Sequence, residues 1–271
     1  MELRLGWLYP TLMSTYGDRG NVICLQQRSH WRDIEIKIIR LDLNATAADF
    51  QDIDLFVGGG AQDRQQEIVM RNLKGEKAQR MRQKIEAGTP GVFTCGSPQL
   101  LGHYYEPGEG ERIEGLGIFD LVSKHPGKDS KRCIGNIAFR LTASPLAKMI
   151  EARTGEPPIV IGFENHGGRT YLGDVQPLGR VMVGNGNNGE DGYEGAFYEN
   201  AIATYAHGPL LPKNPFLADW LIETALELKY QTTVQLSPLD DTLAQKARQA
   251  MFKRQSLVTG RGERPFARTN H

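Results

Sequence analysis

A chain of 271 residues in which 32 Lys and Arg balance 32 Asp and Glu has no net charge to draw it to nucleic acid or an anionic membrane. Its three cysteines, Cys24, Cys95 and Cys133, lie far apart and form neither a CxxC pair nor a Cys/His metal spacing, which fits a reducing compartment better than a disulfide scaffold. Met1–Leu8 is too short and charged for a signal peptide, and no apolar run is long enough to span a bilayer, so the expectation is a cytoplasmic protein with a substantial core.

Leu3–Tyr9 reads as a first strand, followed by a polar, glycine-bearing loop from Pro10 to Asn21. Val22–Trp31 is predicted as a helix, and the alternating Ile34, Ile36 and Ile38 predict a second strand to Leu41. Asp54–Val57 is a short apolar strand running into Gly58-Gly59-Gly60. Gln65–Ala87 is a long polar helix with a break near Gly75, stopped by Gly88-Thr89-Pro90. Gly91–Thr94 is a buried strand ending at Cys95-Gly96. Strands alternating with helices at this spacing predict an α/β fold with a mainly parallel sheet, whose sites lie at the C-terminal ends of the strands.

The second half has a different rhythm. Leu116–Asp120 is a short extended piece, and Lys124–Lys131 a charged loop. Cys133–Leu141, Ile159–Glu164, Arg180–Gly184 and Ala196–Tyr198 are predicted antiparallel strands, with Gly184–Gly189 a hairpin turn. Ile202–Ala206 is a further strand ending at His207-Gly208-Pro209. Phe216–Lys229 is an amphipathic helix, and Asp240–Lys253 a last one. The expected organisation is one domain over 1–232, a helical extension over 233–253 and a disordered basic tail over 254–271.

The chemistry gathers at the strand, sharp turn and helix around Cys95, the layout of a nucleophile elbow. A thiolate at a helix start faces unpaired N–H groups that favour its charge, although a lone cysteine at a strand end is often only a small buried hydrophobe. A cysteine nucleophile needs a base. His207, at a strand end, is the first candidate, and His166 in Glu164-Asn165-His166-Gly167-Gly168 competes. The backbone N–H groups of Gly60 and Gly96 are candidate oxyanion donors. No GxxxxGK[ST] phosphate loop occurs.

The Gly58–Gly60 loop, the Cys95 elbow running to Gln99-Leu100-Leu101-Gly102 and the strand-end His207 together resemble the class I glutamine amidotransferases of the cobyric-acid-synthase-like branch. Within it, Tyr16–Asn21, Gly59–Gln65, Glu114–Gly117, Gly162–Tyr171 and His207–Asn214 resemble the glutaminase subunits that serve a Mur-ligase-like partner. The resemblance spans about Leu3 to Lys229. It implies a Rossmann-like amidotransferase fold: a parallel sheet flanked by helices, with an antiparallel extension.

It also implies a mechanism. Cys95 attacks the side-chain amide of L-glutamine, Gly60 and Gly96 hold the oxyanion, and His207 moves the protons. Arg132 falls where such proteins bind glutamine, and a guanidinium suits its α-carboxylate. Ammonia passes to a MurT-like Mur ligase subunit in a heterodimer, which amidates the D-glutamate of lipid II. This chain then carries no cofactor, ATP and metal belonging to the ligase.

Two departures stand out. Most class I relatives place a glutamate two residues after the histidine, where this chain has Pro209, so the histidine works as a dyad or takes its acid from a partner. Ser97-Pro98 replaces the Gly-Tyr common after the Cys-Gly pair. Other readings stay open: a stand-alone cysteine hydrolase such as a γ-glutamyl peptidase, an amidotransferase for a cobalamin precursor, or a non-enzymatic scaffold.

Overall fold

The computed structural model describes residues 1–259 apart from Tyr16, Lys128, Ser144 and Pro145, with side chains as far as Phe252. In chain order the first elements are strand β1 (Glu2–Leu8), helix α1 (Arg19–His30), β2 (Glu35–Leu41), α2 (Ala47–Gln51), β3 (Leu55–Gly58), α3 (Asp63–Asn72), α4 (Glu76–Glu86), β4 (Gly91–Thr94) and α5 (Gly96–Leu101). There follow β5 (Tyr104–Glu106), β6 (Ile113–Glu114), β7 (Leu121–Lys124), β8 (Cys133–Leu141), α6 (Leu146–Thr154), β9 (Ile159–His166), β10 (Arg169–Leu172), β11 (Gly179–Val183), β12 (Tyr193–Glu194), β13 (Ala196–Tyr198) and β14 (Ala201–Thr204). The helices α7 (Leu210–Lys213), α8 (Pro215–Tyr230) and α9 (Thr242–Thr259) close the chain.

Six strands form the central sheet in the order β13-β14-β4-β3-β1-β2. All its pairings are parallel except the β13–β14 edge. Parallel strands need covered faces, and alternate side chains supply the cover. Leu3, Leu5, Val57, Val92 and Ile202 face α1 and the Leu217–Leu226 side of α8. Leu8, Phe56, Phe93, Ala201 and Ala203 face Phe50, Val69, Met81, Ile85 and Phe119. Each packed layer buries tens of apolar side-chain faces, at roughly 25 cal/mol per Å² of surface removed from water.

The predicted break in the long helix is real. Gly75 sits at φ 59, a conformation cheap only for glycine, and separates α3 from α4. The second half forms two antiparallel-rich sheets, β10-β7-β5-β6 and β12-β11-β8-β9. The extended piece expected at Leu116–Asp120 lies instead at Leu121–Lys124, where Val122 and Tyr171 pair across β7 and β10. Helix α6 lies outside the expected elements.

The extension packs back on the domain. Val234 and Leu236 join the core under α8. Arg28 of α1, almost fully buried, holds Asp219 and Asp241 at 2.7 and 2.6 Å. Farther on, Arg248 donates to Asn214 Oδ1 and the Ile159 carbonyl, and Phe252 caps Ala138, Ile159 and Ile161. Helix α9 reaches Thr259, past the expected end at Lys253; residues 260–271 lie outside the described residues.

Candidate active site

Four adjacent parallel strands end at one edge of the sheet, and each delivers one residue there. From β14 the chain runs to His207, from β4 to Cys95, from β3 to Gly60 and from β1, through a loop, to Asp18. That is the edge where open parallel sheets carry their sites.

Cys95 stands directly between β4 and α5 at φ 54, ψ −100, a conformation that costs a non-glycine residue energy and persists only where its surroundings hold it. Those surroundings are tight. The Cys95 N–H donates to the Thr204 carbonyl at 2.9 Å, tying the elbow to β14. A Cβ at Gly96 would stand 2.9 Å from the Ala61 nitrogen, so the residue after the nucleophile has to be glycine. Ser97 turns out to be a clamp: its Oγ donates to the Gly59 carbonyl at 2.7 Å, and Thr94 Oγ1 reaches the Gly58 carbonyl. The serine that departs from the common Gly-Tyr pattern therefore fixes the glycine loop against the elbow.

His207 is fully buried. Gly60 lies between it and the nucleophile, so that a Cβ there would be 3.2 Å from the His207 ring and 3.3 Å from the Cys95 sulfur. Burial pushes the His207 pKa down, but the electrostatic interaction with Cys95 and the hydrogen bonds with Asp18 and Cys95 outweigh burial and raise it to about 10. His207 thus carries a proton at neutral pH.

Asp18 is the residue that sequence reasoning passed over. It is 1% exposed, with Oδ1 3.3 Å from His207 Nδ1 and Oδ2 accepting the Gly60 N–H at 2.7 Å. The acid missing at Pro209 therefore has a counterpart within this chain. The Gly60 N–H, expected to face an oxyanion, points at Asp18. The Gly60 carbonyl is held as well, by the Thr15 N–H and hydroxyl. Ala61, the next residue, lines the cavity with Cys95.

That cavity has a volume of about 730 Å³. Its wall comes from the antiparallel half and includes Arg132, Asn165 and His166. The Arg132 Nε and Nη2 donate to the Asn165 side chain and carbonyl, both at 3.1 Å. His166 is buried, stacked on Tyr205 with ring centroids 3.7 Å apart, and its Nδ1 pairs with the Gly168 carbonyl. It braces the wall, while His207 reaches the nucleophile. A buried polar chain leads to the cavity: Ser123 to Thr170 to the Tyr205 hydroxyl, on to Gln99 and then Gln66, both of which line it.

Burial pushes the Cys24 thiol up to about 12 and raises Cys133 too, so both are inert in their settings. Among the described residues no cluster of three His, Cys, Asp or Glu side chains is placed to hold a metal, and no helix is long and apolar enough to cross a membrane.

The fold is that of class I glutamine amidotransferases. It is similar to the structure of PurLQS from Thermotoga maritima, with a TM-score of 0.55 at 14% identity over 86% of this chain and 100% of that one. It is also similar to the glutaminase domain of Trypanosoma brucei CTPS with bound acivicin, at 0.52 and 11% identity over 87% and 96% of the two chains. Residues 4–215 match the CobB/CobQ-like glutamine amidotransferase domain, and the chain belongs to that family. Among curated relatives it is 37% identical to the lipid II isoglutaminyl synthase (glutamine-hydrolyzing) subunit GatD of Staphylococcus aureus, over 84% of this chain and 86% of that one. The GatD of Streptococcus pneumoniae is 36% identical over 90% and 88%. A probable cobyric acid synthase of Methanosphaera stadtmanae is 28% identical over 65% of this chain but only 33% of its own.

Proposed function

We propose that this chain is the glutaminase subunit of a lipid II isoglutaminyl synthase. The observation that carries the reading is the strained Cys95, set against a protonated, buried His207 and lining a cavity that also presents Arg132. The two GatD relatives, matched over most of both chains, support the subunit's place in a complex.

The Cys95 thiolate adds to the side-chain amide carbon of L-glutamine. Arg132 takes the α-carboxylate through its remaining N–H groups. The oxyanion is held by the Gly96 N–H, with the Gly60–Ala61 segment beside it, while the Gly60 N–H stays on Asp18. As the tetrahedral carbon collapses, the C–N bond breaks, and the proton on His207 goes to the departing nitrogen, giving ammonia and a thioester. Neutral His207 then takes a proton from water, the hydroxide adds to the thioester, and the C–S bond breaks to release glutamate and the thiolate.

The ammonia goes to a MurT-like ligase subunit, which holds ATP and metal and amidates the glutamate of lipid II. Glutamate release from L-glutamine by the purified chain, with and without that partner and beside Cys95→Ala, tests the reading. Release that rises with the partner and vanishes in the variant is expected. No release in either condition, with the variant matching wild type, overturns it.

A further inference from the structure

We propose that Asp18 is the positioning acid of this site: delivered by the loop after the first strand, it orients His207 and in the same carboxylate pins the glycine loop. The inference rests on the Cys95–His207 reading above, and deepens it by naming what holds the base.

The two carboxylate oxygens of Asp18 have separate tasks. Oδ2 is fixed by the Gly60 N–H at 2.7 Å, which aims Oδ1 at His207 Nδ1, 3.3 Å away. An acceptor at Nδ1 keeps the proton of the neutral imidazole on that nitrogen and leaves Nε2 for the sulfur side, where His207 meets Cys95. The loop that carries Asp18 is bolted to the segment that carries His207. Asn21, fully buried, accepts the Leu211 N–H at 2.9 Å, and Gly20 lies so close to the Pro209 ring that a Cβ there would collide with it. Pro209 thus takes a share in bringing the acid in, at the position where many relatives carry the acid itself.

The other charged groups facing His207 are few. Lys213 caps the His207 and Gly208 carbonyls with its ammonium, and burial lowers its pKa. It reaches the backbone, not the ring. Asp18 is then the side chain whose charge supports an imidazolium, together with Cys95.

A loop clamp and a positioning acid make different demands on residue 18. Asn in its place keeps the size and one oxygen for the Gly60 N–H, but turns an amide NH₂ toward His207 Nδ1. In the complex with its ligase, Asp18→Asn is expected to lower kcat for glutamine hydrolysis by about 10²–10⁴-fold with KM little changed. Alkylation of Cys95 by iodoacetamide should slow at neutral pH, and its high-pH limb should move to lower pH. Wild-type kcat and an unmoved alkylation profile in a folded Asp18→Asn overturn the proposal.

Nitrogen-15 NMR of wild type decides the matter even if the variant fails to fold. Above the His207 titration the neutral ring should carry its proton on Nδ1, and a proton on Nε2 overturns the proposal. Alkylation and ring-nitrogen shifts need no glutamine. A wild type that releases no glutamate would therefore end the glutaminase reading, while these two measurements still judged Asp18.

Discussion

The parallel-sheet edge and the antiparallel wall meet at one cavity but are built on opposite principles. At the edge, reacting groups hang from strained or glycine-rich backbone: Cys95 at φ 54, and Gly60 and Gly96 where no side chain fits. In the wall the strands turn on glycines such as Gly184 and Gly186, at φ 102 and 69, and side chains bear the load. Thr170 and His166 of the wall hold Tyr205 at the end of β14, by a hydrogen bond and a ring stack, and Glu164 takes the N–H groups of Asn185 and Gly186. A nucleophile has to stand clear of its own chain, which demands unusual backbone. A binding wall has only to stay in place, which a satisfied polar network achieves. The edge should therefore fail by losing rate, and the wall by losing stability.

Gly96→Ala tests the edge most severely. The new methyl would stand 2.9 Å from the Ala61 nitrogen and 3.3 Å from its carbonyl, both backbone atoms that cannot swing aside. The Gly60–Ala61 loop must retreat from Cys95. Loss of oxyanion support is expected to lower kcat by about 10²–10³-fold. Glutamate release by the complex measures it; a drop confined to KM would show that the loop had given way without disturbing the oxyanion site.

The edge was the more legible region because its chemistry is written in contiguous residues. Gly91–Thr94 followed by Cys95-Gly96 announces strand, turn and helix within six positions, and the β4 boundaries agree with the structure. Asp18 was not legible by the same means. It lies 189 positions from His207, and only the strand order, with β1 three places from β14, brings them together. The available signal was general: a polar loop after the first strand belongs at the active edge of a parallel sheet. In the wall, β7 and α6 went astray because short amphipathic stretches such as Leu121–Lys124 take their structure from partners far along the chain. Ser97, in sequence only a departure from the common Gly-Tyr pattern, is a clamp, which its hydrogen bond to Gly59 reveals and its residue type does not.

Tyr205→Phe tests how the wall is held against the edge. The ring and its stack on His166 remain, but Thr170 and Gln99 lose their shared partner in a buried setting. Leaving buried polar groups unpaired should cost about 1–3 kcal/mol of stability. The loss would be read as a lower denaturant midpoint at unchanged slope. The change in kcat should be far smaller than for Gly96→Ala. A rate loss matching that variant, with stability intact, would erase the distinction between the two regions.

The smallest effect is expected where the two regions touch. Glu194 of β12 is fully buried, and its Oε1 accepts the Thr204 hydroxyl at 2.5 Å and the Tyr205 N–H at 2.7 Å, three and two residues before His207 in the chain. Burial drives its pKa up, and these hydrogen bonds counter that only in part. With the nearby Glu164 charge adding to burial, it is raised to about 7. The unfolded carboxyl loses its proton near 4.5. Between those values the folded state binds more protons than the unfolded one, so this group's contribution to stability is full below about 4.5 and declines as pH rises through about 7. Glu194→Gln keeps an oxygen for Thr204 and Tyr205 and cannot ionise. Its stability should therefore fall less than that of wild type between pH 4.5 and pH 7, as followed by urea unfolding at several pH values. Parallel wild-type and variant curves across that window would mean that Glu194 is already ionised in the folded protein.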